Sequence, residues 1–297
     1  EIEPATFGIY TTRALGRLSL QAGQFIGPSK ASLPASVVDV RAVRIWKQRT
    51  SWAARTYYEI PELLEQPSNL SLPAGALQQF WVTVRVPETA LPGLYEGYVR
   101  IVADDQTALV PFRLRVLPLR LLAPANKVWG LWPDTGRWET YSEGEILREV
   151  RDWRDHGITC AMMYPLRHST FTLVDGKLKA DMSRFERYMD LYKLGGLGGP
   201  VVASCQGITG LVHKLLGQSA DDYGPEFSRM LVEVVRQIDD LRKARGWPEF
   251  VYHTVDEPGG HPSTEGEAAQ TLRILHEAGF RTYTTADVRF TNEVLSS

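Results

Sequence analysis

Hydrophobic and polar residues alternate at every second position through much of the first 120 residues. The pattern is clear at Val37-Val38-Asp39-Val40, from Phe80 to Val86, from Leu94 to Val102 and from Leu109 to Val116. Pro87, Pro92-Gly93 and Asp104-Asp105 cut these segments apart. Short period-2 segments divided by turn residues predict strands with one face on a core, and a series of them predicts an antiparallel β-sandwich. Residues 1–119 are therefore expected to form an all-β domain.

After Pro118 and Pro124 the pattern becomes one of apolar runs alternating with helical periodicity. Strands are expected from Val128 to Trp132, Ile158 to Tyr164, Pro200 to Cys205, Phe250 to Val255 and Arg281 to Ala286. Helices are expected from Ser142 to His156, Met182 to Leu194, Pro225 to Arg245 and Ser263 to Gly279. The first carries Ser142-x-x-Glu145, whose two side chains can cap free backbone N–H groups, and it ends at Gly157. Alternating strands and helices predict a parallel sheet over residues 120–297. Periodicity alone does not separate a closed barrel from an open doubly wound sheet. The glycine run Gly195-Gly196-Leu197-Gly198-Gly199 precedes a strand, so it cannot present a helix N-terminus to a phosphate. That favours a TIM-type (β/α)8 barrel. About 170 residues follow Pro124, against ~250 for a whole barrel, so the barrel is expected to be truncated after about five βα units. On that reading roughly three further units lie beyond Ser297, and the 297-residue chain is expected to self-associate and to be nearly inactive.

Charge adds little to this picture. Thirty-three basic residues against 35 acidic ones give a net charge of -2, with no general attraction to nucleic acid or an anionic membrane. No apolar run approaches the ~20 residues of a membrane span. The opening Glu1-Ile2-Glu3-Pro4 is neither an initiator methionine nor a signal peptide, so the chain reads as an internal piece of something longer. Cys160 and Cys205 fall in apolar runs, where buried free thiols are expected. No cofactor is expected, and no His/Cys cluster has zinc spacing.

The candidate chemistry lies in FVYHTVDEPGGH, residues 250–261, where Asp256 and Glu257 stand side by side after an apolar run. The carboxyl ends of barrel strands are where catalytic groups collect. The alternative is that the pair caps the following turn. Consecutive strand residues point to opposite faces, so convergence of both acids needs a bend, expected at Pro258. Two converging carboxylates repel, and the repulsion favours one that holds its proton beside one that is ionised.

At these residues the chain resembles glycoside hydrolase family 123. Gln78 to Pro87, Pro92 to Gly97 and Leu114 to Pro118 look like the β-sandwich that precedes that family's catalytic barrel. Val255-Asp256-Glu257-Pro258 resembles its Asp-Glu pair at the end of barrel strand four. The resemblance implies β-N-acetylgalactosaminidase activity on an oligosaccharide or glycan by substrate-assisted retaining hydrolysis. It also implies that Glu257 is the acid and base and that Asp256 orients the substrate acetamido group. A glycan substrate suggests export from the cell.

Two alternatives stay open. In one, Glu257 works with a nucleophile carboxylate beyond residue 297; in the other, the chain is a non-catalytic carbohydrate-binding protein. Trp129 and Trp132 on the first strand, Tyr164 on the second, Gln206 after the third and Asp287 after the fifth are candidate substrate contacts. His253 is expected to be a satisfied core histidine with scope to support the acids from below. Arg167-His168 and the segment from Gly207 to Tyr223 are expected to form a rim.

Overall fold

A computed structural model describes residues 2–51, 53–122, 127–219, 223–259 and 262–285. The chain divides into two compact units, Glu1–Pro124 and Ala125–Ser297, so the boundary falls slightly after the change of pattern near residue 120.

The first unit is antiparallel throughout. Its strands are β1 (Ile2–Tyr10), β2 (Leu15–Ala22), β3 (Phe25–Ile26), β4 (Ser32–Leu33), β5 (Val38–Arg49), β6 (Tyr57–Glu65), β7 (Leu70–Leu72), β8 (Leu77–Arg85), β9 (Gly93–Ala103) and β10 (Gln106–Val116). One sheet runs β1-β8-β5-β6; the other runs β4-β3-β9-β2-β7, with β10 also on β9. Alternation on β8 buries Phe80, Val82 and Val84, and these meet Leu18, Val99 and Ile101 from the second sheet. Two sheets facing across a shared apolar layer make the sandwich.

The second unit is a curled half-barrel with helices packed on it. Its elements are β11 (Gly130–Leu131), α1 (Glu143–Asp155), β12 (Cys160–Met163), β13 (Thr170–Val174), β14 (Lys177–Asp181), α2 (Ser183–Leu194), β15 (Val201–Ser204), α3 (Ile208–Leu216), α4 (Pro225–Arg245), β16 (Phe250–His253) and α5 (Pro262–Glu277). The sheet order β11-β12-β15-β16 follows the chain without reversal, and every pair in it is parallel. A doubly wound sheet reverses its strand order at a switch point; none occurs here among the described residues.

Several expectations need correction. The first strand shrinks to Gly130–Leu131, and the fifth is only a parallel bridge between Tyr252 and Thr282. Tyr252 N–H donates to the Arg281 carbonyl and Tyr283 N–H to the Tyr252 carbonyl, both at 2.8 Å. Ala286 lies outside the described residues. The second strand does not lead straight into a helix: the hairpin β13–β14 intervenes, turning at Asp175-Gly176, where both residues have positive φ. Asp-Gly is the residue pair such a turn demands. Part of the expected rim, Ile208–Leu216, is helix α3. The capping box at Ser142 and Glu145 is present at the start of α1, and both cysteines are free and buried.

The glycine run before β15 has a packing role. A Cβ added to Gly199 would lie 2.3 Å from the Thr159 carbonyl oxygen, which is backbone and cannot move aside. Gly198 has nothing within 4 Å. Gly199→Ala is expected to destabilise the half-barrel unit by about 1–3 kcal/mol, the usual cost of overpacking, and Gly198→Ala to stay within about 0.5 kcal/mol. Denaturant unfolding of the two variants measures the contrast, and equal midpoints would remove the steric explanation.

Candidate functional site

Alternation divides the side chains of the half-barrel sheet between two faces. Ala161 and Met163 of β12, Val201 and Ala203 of β15, and Phe250 and Tyr252 of β16 join the core formed with the helices. Their sequence neighbours Cys160, Met162 and Val202 instead line a cavity of about 240 Å³ with Gly130, Leu131, Trp132 and Tyr283. This is the interior side of the curve. Met162 pairs with Val202, and Ser204 with His253. Tyr164, Ser204 and His253 therefore share one level at the carboxyl ends of their strands.

Asp256 and Glu257 come just after β16 ends, and both are exposed. The alternation that separates consecutive side chains is broken at Glu257 itself, whose φ of 44° lies in the left-handed region. The bend expected at Pro258 thus falls one residue earlier. A non-glycine residue in that region carries a penalty of about 1–2 kcal/mol, so its neighbours must hold it there. Glu257 N–H donates to Thr285 Oγ1 at 2.8 Å, and the Thr285 hydroxyl donates to Asp256 Oδ1 at 2.9 Å. One side chain ties the backbone of one acid to the carboxylate of the other. Nothing in Thr282-Tyr283-Thr284-Thr285 distinguishes the last threonine from its neighbours.

Tyr164 belongs to the same neighbourhood. Burial pushes its phenol up, Arg167 pulls it down, and Asp134 and Asp256 add to the rise. Asp134 accepts from Gly136 N–H at 3.0 Å and pairs with Arg167 at 3.2 Å. Sequence reading missed Asp134, although an Asp-x-Gly step directly after Trp132-Pro133 is a local turn signal. Trp132 is half exposed; its indole N–H meets the Met162 sulfur, and its ring lies 6.0 Å from that of His253.

His253 is fully buried, and neither ring nitrogen has a hydrogen-bond partner among the described residues. It is not the satisfied core histidine expected. Its Nε2 stands 3.9 Å from Asp256 Oδ1, and its ring lies 5.8 Å from that of Tyr283. Burial pushes its pKa down, while the nearby Asp256 charge opposes the shift.

The other candidates make no recorded contact with the acids among the described residues. Trp129 lies before β11, where its backbone pairs with Thr159 at the amino end of the sheet. Gln206 is exposed in the turn into α3, and Asp287 lies outside the described residues. Among the described residues, no three or more His, Cys, Asp or Glu side chains gather as metal ligands would.

No family model matches the chain, and no curated protein matches its sequence significantly. Among solved structures it is similar to a family 123 glycoside hydrolase from Clostridium perfringens, studied for glycolipid glycan hydrolysis. The TM-score is 0.74 at 12% identity, over 96% of this chain and 58% of that one. A β-glucuronidase from Parabacteroides merdae is a weaker match, with TM-score 0.30 at 14% identity over 98% of this chain and 36% of that one. The first likeness shows a glycosidase-like fold, a sandwich followed by a half-barrel. The chain spans 58% of that enzyme's length.

Two predictions arise from the site. Glu257→Gly relieves the left-handed strain at some entropic cost and is expected to raise stability by roughly 0.5–1 kcal/mol, whereas Glu257→Gln keeps the strain and leaves it unchanged. Thermal unfolding compares them; a loss of stability in the glycine variant would show that the side chain holds the turn. The second concerns His168, buried beside Thr135 with Nε2 2.9 Å from its hydroxyl. Burial, then Arg167, pushes His168 down from 6.5 to about 4, against a pull from Glu139. Between those values the unfolded chain binds the proton and the folded protein does not, so stability falls as pH drops from about 6.5 to about 4. His168→Gln is expected to flatten that part of the stability–pH curve; an unchanged slope would assign it to other groups.

Proposed function

We propose that this protein is a glycoside hydrolase that releases β-linked N-acetylhexosamine, with N-acetylgalactosamine as the favoured sugar, by substrate-assisted retaining hydrolysis. The sheet is the first half of its catalytic barrel. The observation that carries the proposal is the Asp256–Glu257 pair at the carboxyl end of β16, in a fold shared with the family 123 enzyme, with strand alternation broken at Glu257.

In the proposed reaction the acetamido oxygen of the substrate attacks the anomeric carbon as the bond to the leaving oxygen breaks. Glu257 gives its proton to that oxygen. Asp256 accepts a hydrogen bond from the acetamido N–H and stabilises the positive charge that develops there. Water then attacks the anomeric carbon, its proton returns to Glu257, and the cyclised intermediate opens with retained configuration. Adjacent acids suit this division of labour, because one must be protonated while its neighbour is ionised. The sugar also displaces water from two carboxylates that are exposed in the free protein. Trp132, half exposed with its ring 6.0 Å from that of His253, and Tyr164, which senses the Asp256 charge, are the rings proposed to meet the sugar.

The test compares aryl β-N-acetylgalactosaminide, β-N-acetylglucosaminide and plain β-galactoside as substrates of a protein carrying the whole barrel. The expected order places the N-acetylgalactosaminide first and the plain galactoside last. Thiazoline mimics of the cyclised intermediate are expected to inhibit, because they resemble the species the site stabilises. Glu257→Gln is expected to lower kcat by roughly 100-fold or more, the usual contribution of a general acid. Preference for the plain galactoside would overturn substrate assistance and favour a carboxylate nucleophile.

A further inference from the structure

Buried polar side chains are nearly always hydrogen-bonded, so the lone imidazole beneath the acids needs a reason. His253 Nε2 points toward Asp256 Oδ1 across 3.9 Å, longer than a direct hydrogen bond. Asp256 is exposed and can adjust, and hydrogen bonds among catalytic groups commonly tighten only once substrate is bound. The imidazole is less free, since the rings of Trp132 and Tyr283 lie 6.0 and 5.8 Å from it. Its register partner on β15, Ser204, carries a second buried hydroxyl with no partner among the described residues.

We propose that His253 is the positioning residue for Asp256. Its Nε2–H donates to Oδ1 and holds the carboxylate in the orientation that accepts the acetamido N–H, while the Ser204 hydroxyl donates to Nδ1 and fixes the tautomer. What Asp256 does with that orientation rests on the reading proposed above; the pairing of His253 with Asp256 does not. Burial keeps the ring neutral, and a neutral imidazole has one donor nitrogen and one acceptor, as the pairing requires. Thr285 and His253 then hold the same carboxylate oxygen from two sides, one through a present hydrogen bond and one through a pairing that closes on binding.

The test uses His253→Phe and His253→Gln with two readouts. The phenylalanine variant fills the site and removes an unpaired polar group, so its thermal midpoint is expected to equal or exceed that of the wild type. Its kcat is expected to fall by roughly 100-fold, the scale of a misplaced catalytic group, with KM little changed. Glutamine supplies an amide N–H from the same backbone position and is expected to recover about tenfold of that loss. An unchanged kcat in the phenylalanine variant, or equal losses in both, would overturn the proposal in favour of plain packing. The second readout needs no turnover: in protein labelled with ¹⁵N at histidine, the His253 resonances are expected to show the Nε2–H tautomer, with a smaller population in Asp256→Ala. An Nδ1–H tautomer, or a population indifferent to Asp256, would overturn the pairing. Failure of a protein carrying the whole barrel to release any N-acetylhexosamine would defeat the proposed function instead, leaving the tautomer measurement to decide the role of His253.

Discussion

Parallel pairing of β12, β15 and β16 in fixed register is the constraint on which the second unit depends. Side chains on a strand alternate with a period of two, so one register assigns every residue of all three strands to a face. Met163, Ala203 and Tyr252 go to the helices, while Met162, Val202 and His253 go to the interior. A slip of one residue would exchange the two sets. It would put His253 into the helix-packed core with Phe185, Val234 and Ile238, and move Tyr252 out of it, away from Asp239 Oδ1, which lies 3.3 Å from its hydroxyl.

The two faces do different work. The helix side holds Ile146, Val150, Phe185, Met189, Phe227, Leu231 and Val235 at full or near-full burial, and their removal from water is the main source of stability for the unit. The interior side carries two groups that are costly to bury, Ser204 and His253, both without partners among the described residues. Each unpaired group costs about 1–3 kcal/mol if nothing satisfies it. The apolar core and the proposed site thus lie on opposite faces of one thin sheet, and Glu257 adds backbone strain just beyond its carboxyl end.

Much of this organisation was legible in the residues. Period-2 runs with Pro and Gly breaks located β8, β9, β10 and the start of β5 but not the other sandwich strands, and apolar runs between helical patterns located β12, β15 and β16. The place of Asp256 and Glu257 just after a strand was legible too, although the strand ends at His253 rather than running on to Val255 and stopping at Pro258. Short β11 and the single bridge at Thr282 were not: their sequences have strand composition, but pairing depends on how far the neighbouring strand extends.

What the tertiary structure alone decided is which polar groups meet. Asp134, Tyr164, Arg167, Asp256 and Thr285 come from four stretches of the chain, and only Tyr164 and Arg167 are close in sequence. The same holds for His253: its position in an apolar run marked it as buried, but whether a buried imidazole is satisfied depends on the partners that other strands bring to it. Local sequence determines backbone periodicity because that depends on neighbours in the chain. The partners of a side chain depend on packing between strands, and only the assembled sheet settles it.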